Sequence, residues 1–337
     1  METTSQHYMI DRAGDGIYAV IAQAGGAAVG NAGLVDLGDA TLVIDTTLTP
    51  SAAEDLRADA GKLTGRVPRW VFNTHYHNDH IWGNQAFLPG ADIISTVETR
   101  ALIQTAGHEE FTDYQAITDE RLNELLAQRA AAKAHGEQQP AALELMIGYF
   151  SGLARDLPRL QVTLPNVVFE KGMALHGSRR RVEMIEFMGG HTGSDSVVHL
   201  PDDGLVFMSD LLFIGFHPYI ADGNADRLLD ILRSVADGSA GIPTSSRFVP
   251  GHGPVGTVED VFQLIEYVEQ SQQIARGLVA DGKTAPDEVA STRMPKEYAN
   301  WSLPRFFYAN LQFLVRKYQS AEREPATGKS VSDPRRP

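Results

Sequence analysis

The fold of this chain is decided by the stretch Thr74-His75-Tyr76-His77-Asn78-Asp79-His80, which places three histidines and one aspartate within six positions. It follows an apolar run at residues 69–73 that is rich in strand-forming side chains, so it should lie at the carboxyl end of a strand. Alternate side chains of a strand share a face, so His75 and His77 can bind one ion. Asp79 and His80 lie where the chain turns and can bind a second ion. Imidazole and carboxylate ligands favour zinc first, then iron, manganese or cobalt.

Composition and charge limit the classes of protein that this chain can be. Its 337 residues, 43% of them hydrophobic, suffice for one large α/β domain with insertions or for two domains. A net charge of −14 argues against nucleic acid or an anionic membrane as a partner, because both bind basic surfaces. Without cysteine, any metal must bind to histidine and carboxylate. Neither a signal peptide nor an apolar run of ~20 residues is visible, so we expect a cytoplasmic protein.

Short strands and helices alternate through the first hundred residues. Gly38-Asp39 separates two apolar runs as a turn, which indicates an antiparallel start to a sheet. Pro50 and Ser51 open a helix that should continue to about Lys62. Helices at this spacing should cover a sheet whose predicted strands are residues 16–23, 32–37, 41–45, 69–73 and 91–95.

Residues 97–164 differ in composition from the segments on either side. They are rich in Ala, Leu, Gln and Glu, and their sequence predicts no strand. Apolar residues recur there at a helical period, including Leu143, Met146, Ile147 and Phe150. The pattern predicts a helical insertion in two pieces that are separated at residues 136–140. The pieces either cover core or form a lid over the metal edge, and as a lid they would leave apolar positions such as Met146 and Phe150 exposed.

Three further ligand-type residues follow at the ends of later strands, which are predicted at residues 167–169, 182–187, 196–200 and 205–209. His191 lies within Gly189-Gly190-His191-Thr192-Gly193, where backbone can approach a ligand closely. Asp210 ends an apolar run, and His252 is bounded by Gly and Pro. The run Arg179-Arg180-Arg181 should be a solvated hairpin tip. With the first stretch, these positions make four strand ends that each offer a metal ligand.

The ligand-type residues, taken in chain order, resemble the full ligand set of the metallo-β-lactamase-fold superfamily. The resemblance extends over about residues 15–270. The resemblance implies an αββα sandwich with a dinuclear metal site at one edge, holding two zinc ions, with iron or manganese as alternatives. It also implies that Asp45, at a strand end, supports the ligands. The redox di-iron branch usually has Glu at the position of His77, so hydrolysis is favoured. The implied first-ion ligands are His75, His77 and His191, the second-ion ligands are Asp79, His80 and His252, and Asp210 bridges both.

The activity that the resemblance implies is hydrolysis of a small molecule. Two divalent ions lower the pKa of a bound water towards ~7 and leave roughly one net positive charge to stabilise an oxyanion. We therefore expect an enzyme that attacks an ester, thioester or lactone carbonyl with metal-bridging hydroxide. The alternatives are a cysteine-free metallo-β-lactamase, a hydrolytic dehalogenase of an activated aromatic, and a phosphodiesterase or nuclease. The acidic charge counts against the last of these.

Candidate catalytic groups beyond the ligands are few. Asp79, or a metal-bound water, is expected to protonate the leaving group. His217 and Tyr219 follow Asp210 on an apolar loop, from which either could donate to a bound carbonyl oxygen, although packing is the commoner role. The remaining histidines fit no ligand position and are expected at the surface or in packing: His7, His108, His135, His176 and His199.

The chain should end in helices that extend a catalytic domain at residues 1–270. An amphipathic helix is predicted from Thr257 to about Asp281, and a second helical stretch at residues 301–318 within an extension at residues 271–320. The second stretch can pack on the insertion, line the pocket or form a homodimer contact, and the sequence does not choose. Residues 321–337 almost lack apolar side chains and are predicted to be disordered.

Overall fold

Two β-sheets pack face to face at the centre of the protein, whose computed structural model describes residues 5–135 and 141–323. The first sheet has its strands in chain order: β1 (Tyr8–Gly14), β2 (Ile17–Ala22), β3 (Ala32–Asp36), β4 (Thr41–Ile44), β5 (Trp70–Phe72), β6 (Asp92–Thr96) and β7 (Val167–Phe169). Strands β1 to β4 pair antiparallel, and β4 to β7 pair parallel. Because parallel strands end at the same edge, Asp45 and the metal-ligand stretch leave the sheet side by side.

The second sheet has the spatial order β12-β11-β10-β9-β8, built from β8 (Gly172–His176), β9 (Arg181–Met188), β10 (Ser194–Leu200), β11 (Leu205–Phe213) and β12 (Arg247–His252). Its pairs are antiparallel except β11 with β12. Arg179 lies exposed at the tip of the β8–β9 hairpin, as predicted, but Arg180 is buried and Arg181 begins β9, so the run is not solvated throughout. There Arg179 Nη1 donates to Asp36 Oδ2 at 2.8 Å and joins the hairpin tip to the first sheet.

The helices are α1 (Pro50–Thr64), α2 (Asn78–Ile81), α3 (Val97–Gln104), α4 (Ala106–Ala134), α5 (Ala141–Asp156), α6 (Ala225–Ala236), α7 (Val258–Ala280), α8 (Pro286–Ala290) and α9 (Arg305–Arg323). Helix α1 begins where the Thr49 side chain accepts from the Ala52 N–H, and it ends at Gly65, whose φ of 70° suits glycine. Within the described ranges, no helix has both the length and the apolar character needed to cross a bilayer.

The layers follow from where each apolar face is buried. Leu42 and Phe72 of the first sheet meet Val198 and Phe207 of the second in a core between the sheets. Helix α1 covers the outer face of the first sheet, and α6, α7 and α9 cover the outer face of the second. The protein is therefore a four-layer αββα sandwich, which confirms the predicted α/β fold class.

Some elements differ from the sequence prediction. Strands β1 and β8 and helix α6 were not predicted, and the insertion contains three helices, α3 to α5, rather than two. Helix α9 runs to Arg323, so the prediction of disorder from residue 321 is wrong for its first three positions. Met146 and Phe150, expected to be exposed, are buried at 9% and 5% relative exposure. The predicted break at residues 136–140 and the tail beyond residue 323 lie outside the described residues.

Candidate metal centre

The metal-ligand stretch is held by Asp45 at the end of β4. Strand β5 ends at Phe72, so His75 and His77 lie in a loop rather than in the strand predicted for them, and Asp79 and His80 lie in α2. The Asp45 carboxylate accepts hydrogen bonds from the Thr74 N–H at 2.9 Å and the Thr74 hydroxyl at 2.8 Å. It also accepts from His80 Nδ1 at 2.9 Å, which leaves His80 Nε2 free for a metal. Asp45 has the supporting position that the sequence implied.

The structure brings the seven expected ligands into two adjacent groups. Within each group the ligand atoms lie within 4.8 Å of one another. Asp210 faces both groups, because its Oδ1 lies 3.1 Å from His80 Nε2 and its Oδ2 lies 3.2 Å from His191 Nε2. The first group is His75, His77, His191 and Asp210, and the second is Asp79, His80 and His252.

Buried polar atoms at the centre lack partners of their own. His75 Nε2, His80 Nε2 and Asp210 Oδ1 are buried and make no well-aligned hydrogen bond to the described residues, although His80 Nε2 and Asp210 Oδ1 lie 3.1 Å apart. Leaving such an atom unsatisfied costs about 1–3 kcal/mol, which a coordinated cation would offset. Imidazoles and carboxylates without thiolates form a donor set suited to zinc and to similar divalent ions. The residues present therefore fit a metal pair.

The electrostatics of the centre also favour a cation. Burial would raise the pKa of the Asp210 carboxyl, but His252, His80 and His191 hold that pKa well below its usual value. Burial opposes a charge on His80, yet the carboxylates of Asp210, Asp79 and Asp45 raise the pKa of its imidazole well above normal. A divalent ion would take over the favourable interactions that a proton makes with these carboxylates.

Three polar residues that the sequence analysis did not single out fix the ligand loops. Asp222 Oδ2 accepts from the Tyr76 hydroxyl at 2.6 Å and lies 3.1 Å from His77 Nε2. Asp195 accepts from the backbone N–H of His191 at 2.8 Å. The Asn31 side chain donates to the carbonyls of Pro250 and Gly253, at 2.9 Å and 2.8 Å, on both sides of His252. Asp195 lies just after the glycine-rich loop of residues 189–193, so the sequence alone could have indicated a turn-stabilising role for it. Nothing in the sequence around Asn31 or Asp222 indicates that they support the ligands.

The ligand groups lie at the base of a cavity of about 360 Å³. Helices α4 and α5 of the insertion supply part of its wall, and the segment that leads into α9 supplies another part. The insertion also has its own apolar core around Leu125 and Leu153. The insertion thus both buries apolar side chains of its own and forms part of the wall of the cavity at the metal ligands. The residues that line the cavity include Asn78, Glu110, Tyr114, Met146, Tyr149, Tyr219 and Phe306.

The structure separates the two further catalytic candidates. Tyr219 lines the cavity, and its ring centroid lies 6.3 Å from that of His77. His217 is fully buried, with Nδ1 3.0 Å from the Tyr267 hydroxyl and its ring against Trp301. Burial lowers the pKa of His217 to about 4. His217 is not among the described residues that line the cavity. Its contacts are with Tyr267 and Trp301, as expected of a residue that packs in the core.

Comparison with known protein families assigns the chain. The family model of the metallo-beta-lactamase superfamily matches residues 25–252, a span that contains all seven ligands. The chain belongs to the metallo-β-lactamase superfamily. A search of curated proteins gives no match.

Solved structures of metallo-β-lactamases share the fold at low sequence identity. A metallo-β-lactamase from Pontibacter korlensis has a TM-score of 0.54 and 14% identity, over 78% of this chain and 99% of that one. The metallo-β-lactamase FIM-1 from Pseudomonas aeruginosa, solved in a mono-zinc form, has a TM-score of 0.53 and 16% sequence identity, over 78% of this chain and 96% of that one. A metallo-β-lactamase from Hirschia baltica has a TM-score of 0.51 and 15% sequence identity, over 78% of this chain and 98% of that one. At such identities the similarity shows the shared superfamily fold alone.

Proposed function

We propose that this chain is a metal-dependent hydrolase that attacks an ester, thioester or lactone carbonyl of a small molecule. The observation that carries the proposal is the position of Asp210 between two groups of ligands at the base of a cavity. A structural zinc site is closed by four ligands, whereas seven ligand residues for two ions leave positions open to substrate. Zinc is the first choice for both ions.

Each part of the centre has a chemical task. Bound divalent ions polarise a carbonyl oxygen and lower the pKa of coordinated water. Asp79 faces the cavity, with Oδ2 3.4 Å from His252 Nε2, so its carboxylate can carry a proton to the leaving group. The Tyr219 hydroxyl can donate to the carbonyl oxygen as negative charge develops there. The two ligand groups would each hold one ion, with Asp210 shared between them, as the resemblance implies.

The cavity supports a substrate with an apolar acyl part. Tyr114, Met146, Tyr149 and Phe306 contribute ring and thioether surface opposite the ligand groups. A volume of about 360 Å³ is at the lower end for small-molecule pockets and suits a compact substrate. The acidic net charge of −14 counts against a polyanionic substrate such as nucleic acid.

A panel of chromogenic substrates tests this function. Metal-loaded protein is assayed with esters, thioesters, lactones, a cephalosporin and a phosphodiester, before and after chelation and again after zinc is restored. We expect turnover of at least one carbonyl class that is lost on chelation and regained with zinc. Turnover confined to the phosphodiester or the cephalosporin would replace the proposed function with one of the alternatives.

A further inference from the structure

A carboxyl group that belongs to neither ligand group lines the cavity beside the metal centre. Glu110 lies on α4, one helical turn before Tyr114, and both side chains line the cavity. It contributes no atom to the two groups of potential metal ligands found among the described residues. A role other than metal binding is therefore needed to explain an acid in this wall.

Glu110 lies near the turn that carries the metal ligands. The backbone of Asn78, which lies between the ligands His77 and Asp79 in the chain, is close to the Glu110 carboxylate. The side-chain amide of Asn78 donates to the Tyr149 hydroxyl at 2.8 Å. Asn78 thus links the ligand turn to α5 and lies beside Glu110 of α4.

The second carboxylate oxygen of Glu110 is unsatisfied. Its Oε2 is buried and has no hydrogen-bond partner in the part of the chain that the structure describes. A buried carboxylate oxygen without a partner costs free energy unless a ligand supplies one.

We propose that Glu110 is a specificity-determining residue whose Oε2 accepts a hydrogen bond from an amide N–H or hydroxyl of the substrate. The inference rests on the proposed function, because it places the reacting carbonyl at the metal centre and the polar hydrogen beneath α4. The preferred substrates are then acyl compounds that carry such a donor close to the scissile carbonyl. A site built to bind a polar hydrogen discriminates strongly against the analogue that lacks it.

Two pairs of probes test the proposal. The first pair is the 4-nitrophenyl esters of N-acetylglycine and N-acetylsarcosine, in which an N–H is replaced by N–CH₃. The second pair is the corresponding free acids, whose binding to zinc-loaded protein is measured by calorimetric titration without any turnover. The variants are Glu110→Ala, Glu110→Gln and, as the matched control on the same helix, the exposed neighbour Glu109→Ala.

The wild type should prefer the N–H member of each pair by about tenfold or more. Glu110→Ala should lose most of that preference by weakening only the N–H member, and Glu110→Gln, whose amide oxygen still accepts, should keep part of it. Glu109→Ala should behave as the wild type does. If Glu110→Ala folds poorly, the Gln variant and the wild-type preference still decide.

The outcomes separate the two proposals. Equal affinity of wild-type protein for the two acids, or no binding of either, overturns the role of Glu110. Equal losses for both members of a pair in Glu110→Ala also overturn it, because they would show that Glu110 only fixes α4 to the ligand turn. Failure to hydrolyse any ester, thioester or lactone, with the acids still distinguished, would contradict the proposed function and leave the polar contact intact.

Discussion

Asp222 Oδ2 lies 3.1 Å from His77 Nε2, on the side of the imidazole that faces away from the metal centre. The other ring nitrogen, Nδ1, lies 2.8 Å from His191 Nε2, among the first group of ligands. Asp222 is itself held by the Tyr76 hydroxyl at 2.6 Å. A carboxylate in this position fixes both the tautomer and the ring orientation of a metal-binding histidine. His77 would therefore present Nδ1 to a bound metal.

Replacing Asp222 should weaken metal binding. Asp222→Ala removes the acceptor that orients His77, so we expect the affinity for zinc to fall by ~10–100-fold. Competition with a chromophoric chelator measures this affinity. The control is Asp230→Ala on α6, whose side chain is 64% exposed. Unchanged affinity in Asp222→Ala would show that the loop alone orients His77.

Asp79 should be far more important than the exposed histidines. Asp79→Ala removes both a second-ion ligand and the proposed proton carrier, so kcat should fall at least ~100-fold. His108→Ala and His135→Ala change exposed positions on or next to α4 and should stay within about threefold. Steady-state kinetics on any substrate from the panel decide this. Similar losses in all three variants would mean that the site lies elsewhere.

Met146 and Phe150 form a matched pair for testing the insertion. Met146 lines the cavity, whereas Phe150 packs on Tyr149 and Tyr114, with ring centroids at 5.0 Å and 6.2 Å. Met146→Gln should change KM or substrate ranking while metal content is kept. Phe150→Ala should lower the free energy of unfolding by about 3 kcal/mol with kinetics per folded molecule unchanged. If Met146→Gln loses folding cooperativity without a kinetic change, α5 only covers core.

His217 should make stability depend on pH. Its pKa is lowered to about 4 by burial, below the usual 6.5, so the unfolded chain binds the proton more strongly between these values. The stability due to neutral His217 is complete above pH 6.5 and is lost as the pH falls towards 4. Relative to His217→Phe, metal-free wild type should lose about 2–3 kcal/mol across this range.

Denaturant unfolding at several pH values, in the presence of a chelator, measures that difference. Working with metal-free protein keeps metal release at acid pH from contributing. A constant gap between wild type and His217→Phe from pH 4 to pH 7 would contradict the burial argument. In that case His217 would be accessible to protons, as a catalytic role requires.

The ligands could be predicted from sequence because their signal is local. Three histidines and an aspartate in one short stretch have no common packing explanation, and His191, Asp210 and His252 each follow an apolar run that predicts a strand. The strand ends were predicted too early, because β11 continues past Asp210 to Phe213 and β12 includes His252. The same locality explains the omission of β1, where Asp11 and Arg12 interrupt the apolar pattern. Helix α6 was missed despite a clear signal, since Asn224 caps it and its apolar residues recur at a helical period.

The supporting groups could not be predicted because they act across long sequence separations. Asp222 binds Tyr76 from 146 positions away, and nothing in its own loop marks it. Glu110 lies on a helix rich in charged residues, where an acid normally faces solvent. Only the packing of α4 above the ligand turn buries it. The cavity wall formed by the insertion therefore depends on tertiary contacts that the sequence does not show, whereas the metal ligands could be identified from sequence.

Seven residues are proposed to hold two metal ions, with Asp210 between them. Elemental analysis of purified protein, after dialysis against zinc and removal of loosely bound metal, is the decisive measurement. We expect close to two equivalents of zinc per chain in the wild type, and a loss of at least one equivalent in Asp210→Ala. Fully active protein that contains no metal would show that these residues do not form a catalytic metal centre.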